Sequence, residues 1–203
     1  MSSERDLEIC NMALSHLATG KEIQNLDTDE SEEAASCRRF LKKVIRTAQR
    51  EFPWPVFERY ATLALLVEEP NSEWAYSYRL PIDCAIPLKL LSGQRVDSVT
   101  TRIPFTKSHD STGPLIFTDL EDAELKYCCY SEDNRLFDSD FEMAISLLLA
   151  FYISPRVTAG DANRLGKRAY DAYRLMGEQA KARAANEISQ EVEPECEMIA
   201  ARN

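Results

Sequence analysis

Apolar residues recur at gaps of three and four along several stretches of the chain, and at every second place along others. From residue 3 to 19, Leu7, Cys10, Ala13, Leu14 and Leu17 fall on one side of a helix. Ser3 and Asp6 have the spacing of a capping box, and Gly20 suits a left-handed stop. A second, longer helix is predicted over 30–52, with Cys37, Leu41, Val44, Ala48 and Phe52 as its apolar stripe and Phe40 and Ile45 beside them. Asp29 and Glu32 fit a capping box there, and acids in the first turn suit the positive end of the helix dipole. Pro53 and Pro55 stop the helix, because proline has no amide hydrogen for the ladder. Trp54 stands between the two prolines. Together with Trp74 it is expected to mark the junction between a helical bundle and a β module.

After Trp54 the period changes to two. Ala61, Leu63, Leu65 and Val67 alternate within residues 58–67, which predicts a strand, although alanine and leucine leave a helix open. Trp74, Tyr76 and Tyr78 alternate with small residues and predict another. Pro81 and Pro87 confine their stretch to a sheet edge or a loop. Further short strands are expected at 94–97, 102–106, 114–118 and 123–130, with KSHDSTGP as a loop.

From Asp138 the helical pattern returns. Ser139 and Glu142 have capping-box spacing, and AISLLLAFYI is apolar on all sides, so this helix is expected to be buried all round until Pro155 ends it. A last helix is predicted over 161–188, with Leu165, Ala169, Ala172, Tyr173, Met176 and Ala180 as its stripe. The residues after it are acidic, carry Pro194 and show no sustained period. The expected class is α+β: a four-helix bundle from 1–57 and 136–188, an inserted antiparallel β module over 58–135, and an extended docking tail over 189–203. Ile188, Val192, Met198 and Ile199 are the apolar residues with which that tail is expected to dock.

Charge sharpens this picture at one place. The chain has 203 residues and a net charge of −10, which argues against a protein that coats nucleic acid through phosphate neutralisation. Yet Arg38, Arg39, Lys42, Lys43, Arg46 and Arg50 all lie off the apolar stripe of the second helix, on a basic side. Such a side is either a solvated helix face or a surface for an acidic subunit or DNA. The amino-terminal MSSERDLE has no apolar run, and the longest apolar stretch, 144–153, is half of the roughly 20 residues a spanning helix needs. A soluble protein made in the cytoplasm, without membrane contact, is expected.

Candidate chemistry is sparse. The six cysteines form no C-x-x-C pair, and Cys10 and Cys37 lie on apolar stripes, so core packing is expected in place of a metal. His16 lies inside the first helix and His109 in a polar stretch, neither within a nucleophile motif. There is no phosphate loop or dinucleotide glycine pattern. Acidic pairs such as Asp119/Glu121 and Asp138/Asp140 read as solvated surface. No catalytic residue, metal or cofactor is expected.

An ordered set of segments carries a resemblance. An acidic linker, LDTDESEEAASCRR, leads to a long helix ending in REFPW. Then come WAYSYRLPIDC, the strands GPLIFTD and ELKYCCY, and a helix opening LFDSDFEMAIS. Over about residues 5–180 this resembles the tail tubular protein A family, the head-to-tail adaptors of short-tailed bacteriophages. The resemblance implies a virion neck protein forming a ring of twelve. The ring would join portal protein to tail nozzle protein, with DNA passing through its channel without sequence-specific binding. The basic side of the second helix is then expected at the subunit interface, and 189–203 against the portal. The segment 189–203 itself carries no motif of the family. The competing reading is a DNA-binding or packaging-regulator module using the basic helix 30–52. The linker is longer than a helix-turn-helix turn, and the net charge opposes that reading.

Overall fold

The computed structural model describes residues 3–66, 71–93, 102–158 and 161–188. Its elements in chain order are α1 (Glu4–His16), α2 (Glu32–Glu51), β1 (Glu58–Thr62), β2 (Ala64–Leu65), β3 (Tyr76–Arg79), β4 (Cys84–Leu90), β5 (Thr106–Asp110), β6 (Gly113–Thr118), β7 (Glu124–Cys129), α3 (Ser139–Val157) and α4 (Ala162–Ile188).

Side-chain caps set the helix starts. At α1 the capping box forms as predicted: Ser3 Oγ accepts from Asp6 N at 3.1 Å, and Asp6 Oδ2 accepts from Ser3 N at 3.0 Å. At α2 the cap is Ser31 in place of Asp29. Ser31 Oγ accepts from Ala34 N, while Asp29 Oδ1 accepts from Ser31 N and holds the approach. At α3 the cap is Asp138 in place of Ser139, because its carboxylate reaches Phe141 N at 2.8 Å. Pro155 does not end α3, which continues to Val157. The carbonyl of Phe151, which proline deprives of its usual partner, accepts from Ser154 Oγ at 2.9 Å.

The expected four-helix bundle with one inserted β module is not what forms. Among the described residues, four helices and seven strands make an α+β fold with two antiparallel sheets. In a four-helix bundle each helix has one apolar side turned to a shared axis. Here α3 is apolar all round, with Ala144, Ile145, Leu147, Leu148, Leu149 and Ala150 buried, so α1, α2 and α4 each pack against it. The strands divide into one sheet of order β1-β7-β4 and another of order β2-β3-β6-β5. The chain passes from the first sheet to the second at Leu63, whose N–H donates to Ala123 O at 2.9 Å. Leu63, Tyr78, Ile116, Leu125 and Cys128 belong to the same buried cluster as Leu14, Val44, Phe141 and Leu148. The sheets therefore share the core of the helices.

Two strands differ from expectation for local reasons. β4 carries Pro87 on an edge position, with register shifts between Cys84 and Ile86 and between Pro87 and Lys89. The strand expected at 102–106 forms only from Thr106 onward: β5 takes up half of the predicted KSHDSTGP loop and pairs with β6 from Thr106↔Phe117 to Asp110↔Gly113. Asp110 closes that hairpin: its Oδ1 accepts from Thr112 N and Gly113 N, each at 2.8 Å, and Arg79 clamps both carboxylate oxygens at 2.8 Å. The Arg79 guanidinium holds this carboxyl far below the ordinary carboxylate range. The predicted strand at 94–97 and the tail at 189–203 lie outside the described residues.

α4 approaches its neighbours most closely at two glycines. A Cβ at Gly166 would meet the side chain of Ser154 on α3, and one at Gly177 would overlap the ring of Phe52 at the end of α2.

Candidate protein interface

The basic side of α2 is set by the geometry of its core side. Ala34, Cys37, Leu41, Val44 and Ala48 are buried, which turns Arg38, Arg39, Lys42, Lys43, Arg46 and Arg50 to the surface. No acid interrupts that face between Arg38 and Arg50. Glu33, in the first turn, is instead buried and engaged by Lys21 Nζ at 2.5 Å, which lowers the pKa of its carboxyl.

The six cations are not equivalent. Arg38 Nη1 donates to the carbonyls of Leu26 at 2.6 Å and Asp29 at 2.7 Å, so it pins the linker between α1 and α2. Arg46 lies over the ring of Tyr130, 5.6 Å from its centroid. Among the described residues, Arg39, Lys42, Lys43 and Arg50 have no hydrogen-bond or ion-pair partner. They are the part of the face available to another molecule.

One edge of this face borders a groove of about 630 Å³ between α2 and the ends of β4 and β7. Leu41, Lys42, Ile45 and Arg46 line its α2 side, with Ile82, Asp83, Tyr130 and Glu132 across from them. Gln49 also lines it. This residue is 1% exposed, its Nε2 donates to Ser131 O at 2.9 Å, and its Oε1 is buried with no partner. A buried acceptor left unpaired is uncommon in folded proteins. The sequence carried a faint sign of it, a glutamine beside Ala48 and one helical turn from Ile45 and Phe52, on the apolar side. Ile82, wholly exposed at the rim, had no sequence signal beyond its place after Pro81.

Trp54 is 2% exposed and sits where α2, α3 and the first sheet meet. Its ring is edge-on to Phe141 at 5.3 Å and to Phe52 at 6.3 Å. Its Nε1 donates to Ala48 O at 3.0 Å, and Cys128 Sγ on β7 donates to its carbonyl at 3.8 Å. Trp74 is elsewhere. It is half-buried in the turn before β3, where its backbone N–H donates to Asn71 Oδ1, and no ring contact among the described residues joins it to the helices. The two tryptophans are not brought together. Of the predicted docking residues, Ile188 is the last residue of α4, and Val192, Met198 and Ile199 lie outside the described residues.

A second recess lies on α1, beside His16 and Glu142. His16 Nε2 is 3.1 Å from Ser146 Oγ. That hydroxyl donates its own proton to Met143 O at 2.7 Å, so the imidazole N–H is the donor to it. This is the reverse of a nucleophile and its base, and Ser146 is fully buried. Burial lowers the pKa of His16 and favours the neutral ring. His109 is on β5 and exposed. Among the described residues, no group of His, Cys, Asp and Glu is placed to hold a metal ion, and no helix is long and apolar enough to cross a membrane.

No protein-family model matches the chain, and neither does any curated protein.

Proposed function

We propose that the chain is a structural virion protein: a head-to-tail adaptor that assembles as a ring between a portal and a tail nozzle, with DNA passing through the ring. The observation that carries this reading is the uninterrupted basic face of α2, with four cations unpartnered among the described residues, on a chain of net charge −10. A head-to-tail ring needs two different, complementary surfaces on each copy. A basic face on an acidic protein supplies one, and acids elsewhere on a neighbouring copy supply the other. The ordered segments that resemble tail tubular protein A give the reading its direction. In this reading the segment 189–203, with Ile188, Val192, Met198 and Ile199, meets the portal.

Exposed ion pairs contribute only about 0–1 kcal/mol each, so this face sets the register of neighbours more than the strength of the ring. Reversing Arg39, Lys43 and Arg46 together to Glu is expected to abolish ring formation on portal while leaving the free protein folded by circular dichroism, with its melting temperature lowered by a few degrees at most through loss of the Arg46–Tyr130 contact. Normal rings from the triple variant would remove α2 from the interface. Duplex binding by the native protein that weakens steeply with salt, and is lost in the variant, would favour the DNA-binding module instead.

A further inference from the structure

Cys84 and Cys129 are far apart in sequence, yet they stand opposite each other in the first sheet. Their strands, β4 and β7, run antiparallel, and the two residues are Cα partners. Just outside them, Tyr130 N donates to Asp83 O at 2.7 Å. A backbone bond one step beyond a pair on both strands marks a non-hydrogen-bonded pair. In such a pair the Cα atoms stand about 4.5 Å apart and the side chains lie closest. A disulfide spans about 4.4–6.8 Å between Cα atoms, so this pair is within its reach. The register shift that follows lies between Cys84 and Ile86 and leaves the pair opposed. Cys128, the next residue along β7, belongs to the other face of the sheet. It is buried, and its Sγ donates to the carbonyl of Trp54 at 3.8 Å. Cys84 is half-buried on an edge strand and Cys129 is buried beside it, so the pair can be approached from the Cys84 side. Cys10 and Cys37 are wholly buried.

We propose that Cys84 and Cys129 form a redox modification site, which a low-molecular-weight disulfide converts to a cross-strand disulfide fastening β4 to β7. The Cys84 thiolate attacks one sulfur of the small disulfide, whose S–S bond breaks, and one small thiol leaves. The Cys129 thiolate then attacks the Cys84 sulfur of the mixed disulfide, and the second small thiol leaves. Two S–H bonds give one S–S bond, and the two protons and two electrons end on the two small thiols. β4 is where such a bond adds most. It is an edge strand, its pairing with β7 shifts twice, and Pro87 offers no N–H to the ladder. Ile82 and Asp83, just before Cys84, line the groove beside α2 opposite that helix, so the bond also fixes that wall. This inference does not rest on the adaptor reading.

Charge around the pair sets its rate. Burial and the Asp83 carboxylate push the Cys84 thiol up to about 11, with Lys107 on β5 opposing them. Burial also raises Cys129, against Arg59 on β1. Tyr127 Oη donates to Asp83 Oδ1 at 3.2 Å, which keeps that carboxylate in place. The thiolate is the attacking form, so the reaction is slow at neutral pH and speeds up roughly tenfold per pH unit below the Cys84 pKa.

The test incubates reduced, folded, full-length protein with oxidised glutathione at about pH 7.5 and about pH 8.5, a range in which only the thiolate fraction should change the rate. Free thiols are then alkylated, and the chain is digested with trypsin without reduction for mass spectrometry. Peptides 80–89 and 127–135 are expected to be joined, two hydrogens lighter than their sum, with fragment ions placing the bond at Cys129. Joining is expected to be roughly tenfold faster at the higher pH. The oxidised protein is expected to melt about 5 °C higher, and excess dithiothreitol to reverse both changes. Cys84→Ser and Cys129→Ser should each abolish the linked peptides, and Cys128→Ser should retain them. A bond placed at Cys128 or Cys196 would overturn the assignment. So would Cys84 left alkylated or stalled as the glutathione mixed disulfide, or linked peptides that form only once urea has unfolded the chain.

Discussion

Trp54→Ala is expected to destabilise the fold by about 3–5 kcal/mol, the range for removing a large aromatic from a packed core. For a chain of this size that corresponds to a fall of roughly 10 °C in melting temperature. The size of the effect comes from what the ring touches. Trp54 is 2% exposed, wedged between Phe141 and Phe52, with its indole N–H on Ala48 O and its own carbonyl accepting from Cys128. Alanine would leave a cavity where the end of α2, the start of α3 and β7 converge, and neighbouring rings of that size cannot collapse into it. The Ala48 carbonyl would not be orphaned, since it also accepts from Phe52 N at 3.4 Å, so the loss is mainly one of packing. Trp54→Phe is therefore expected to recover much of the stability. Trp74→Ala, in a half-buried turn, is expected to cost far less. An unchanged melting temperature in Trp54→Ala would show that the ring holds no such junction.

Gly177→Ala is expected to destabilise by about 1–3 kcal/mol, although alanine is intrinsically favoured over glycine in a helix by about 1 kcal/mol. The added methyl would lie inside the ring of Phe52. That ring cannot retreat: Trp54 and Tyr173 meet it edge-on, and Lys181 stands over it. Shrinking the ring should relieve the clash, so Phe52→Leu combined with Gly177→Ala is expected to be more stable than the sum of the two single effects, with a coupling of about 0.5–3 kcal/mol. Additive losses in the double variant, measured by thermal or urea unfolding, would show that α4 does not lie on Phe52 as described.

These sites show what was legible in the chain and what was not. Apolar gaps of three and four place α1, α2 and α4, because one buried side leaves a periodic trace. The all-round apolar run of α3 was legible as burial from Ala144 to Ala150, but Phe151 and Tyr152 are exposed, and the consequence for architecture was not legible. A helix against which α1, α2 and α4 all pack displaces the bundle, and sequence does not say which neighbours arrive. β5 was missed because it is an outer strand with mostly exposed residues, so its sequence lacks the alternation that marks a half-buried strand. β4 was obscured by Pro87, which an edge strand with shifted register tolerates. Gly177 and Gly166 carried no signal, since a glycine inside a helix reads as a weak position until the helix facing it is known.

At the candidate interface, the six cations were legible from their offset to the apolar stripe. Their inequality was not, because Arg38 is tied down by carbonyls of the linker and Arg46 by Tyr130, groups remote in sequence or without a charge pattern. The unpaired oxygen of Gln49 required coordinates to see at all.

The adaptor reading is tested most directly by the stoichiometry and arrangement of the chain on its portal, by native mass spectrometry and electron microscopy of portal rings mixed with the full-length protein. Twelve copies are expected as a closed ring at one end of the portal, with α2 of each copy facing its neighbour. Portal rings that stay bare, or that carry scattered copies without mutual contact, would contradict it.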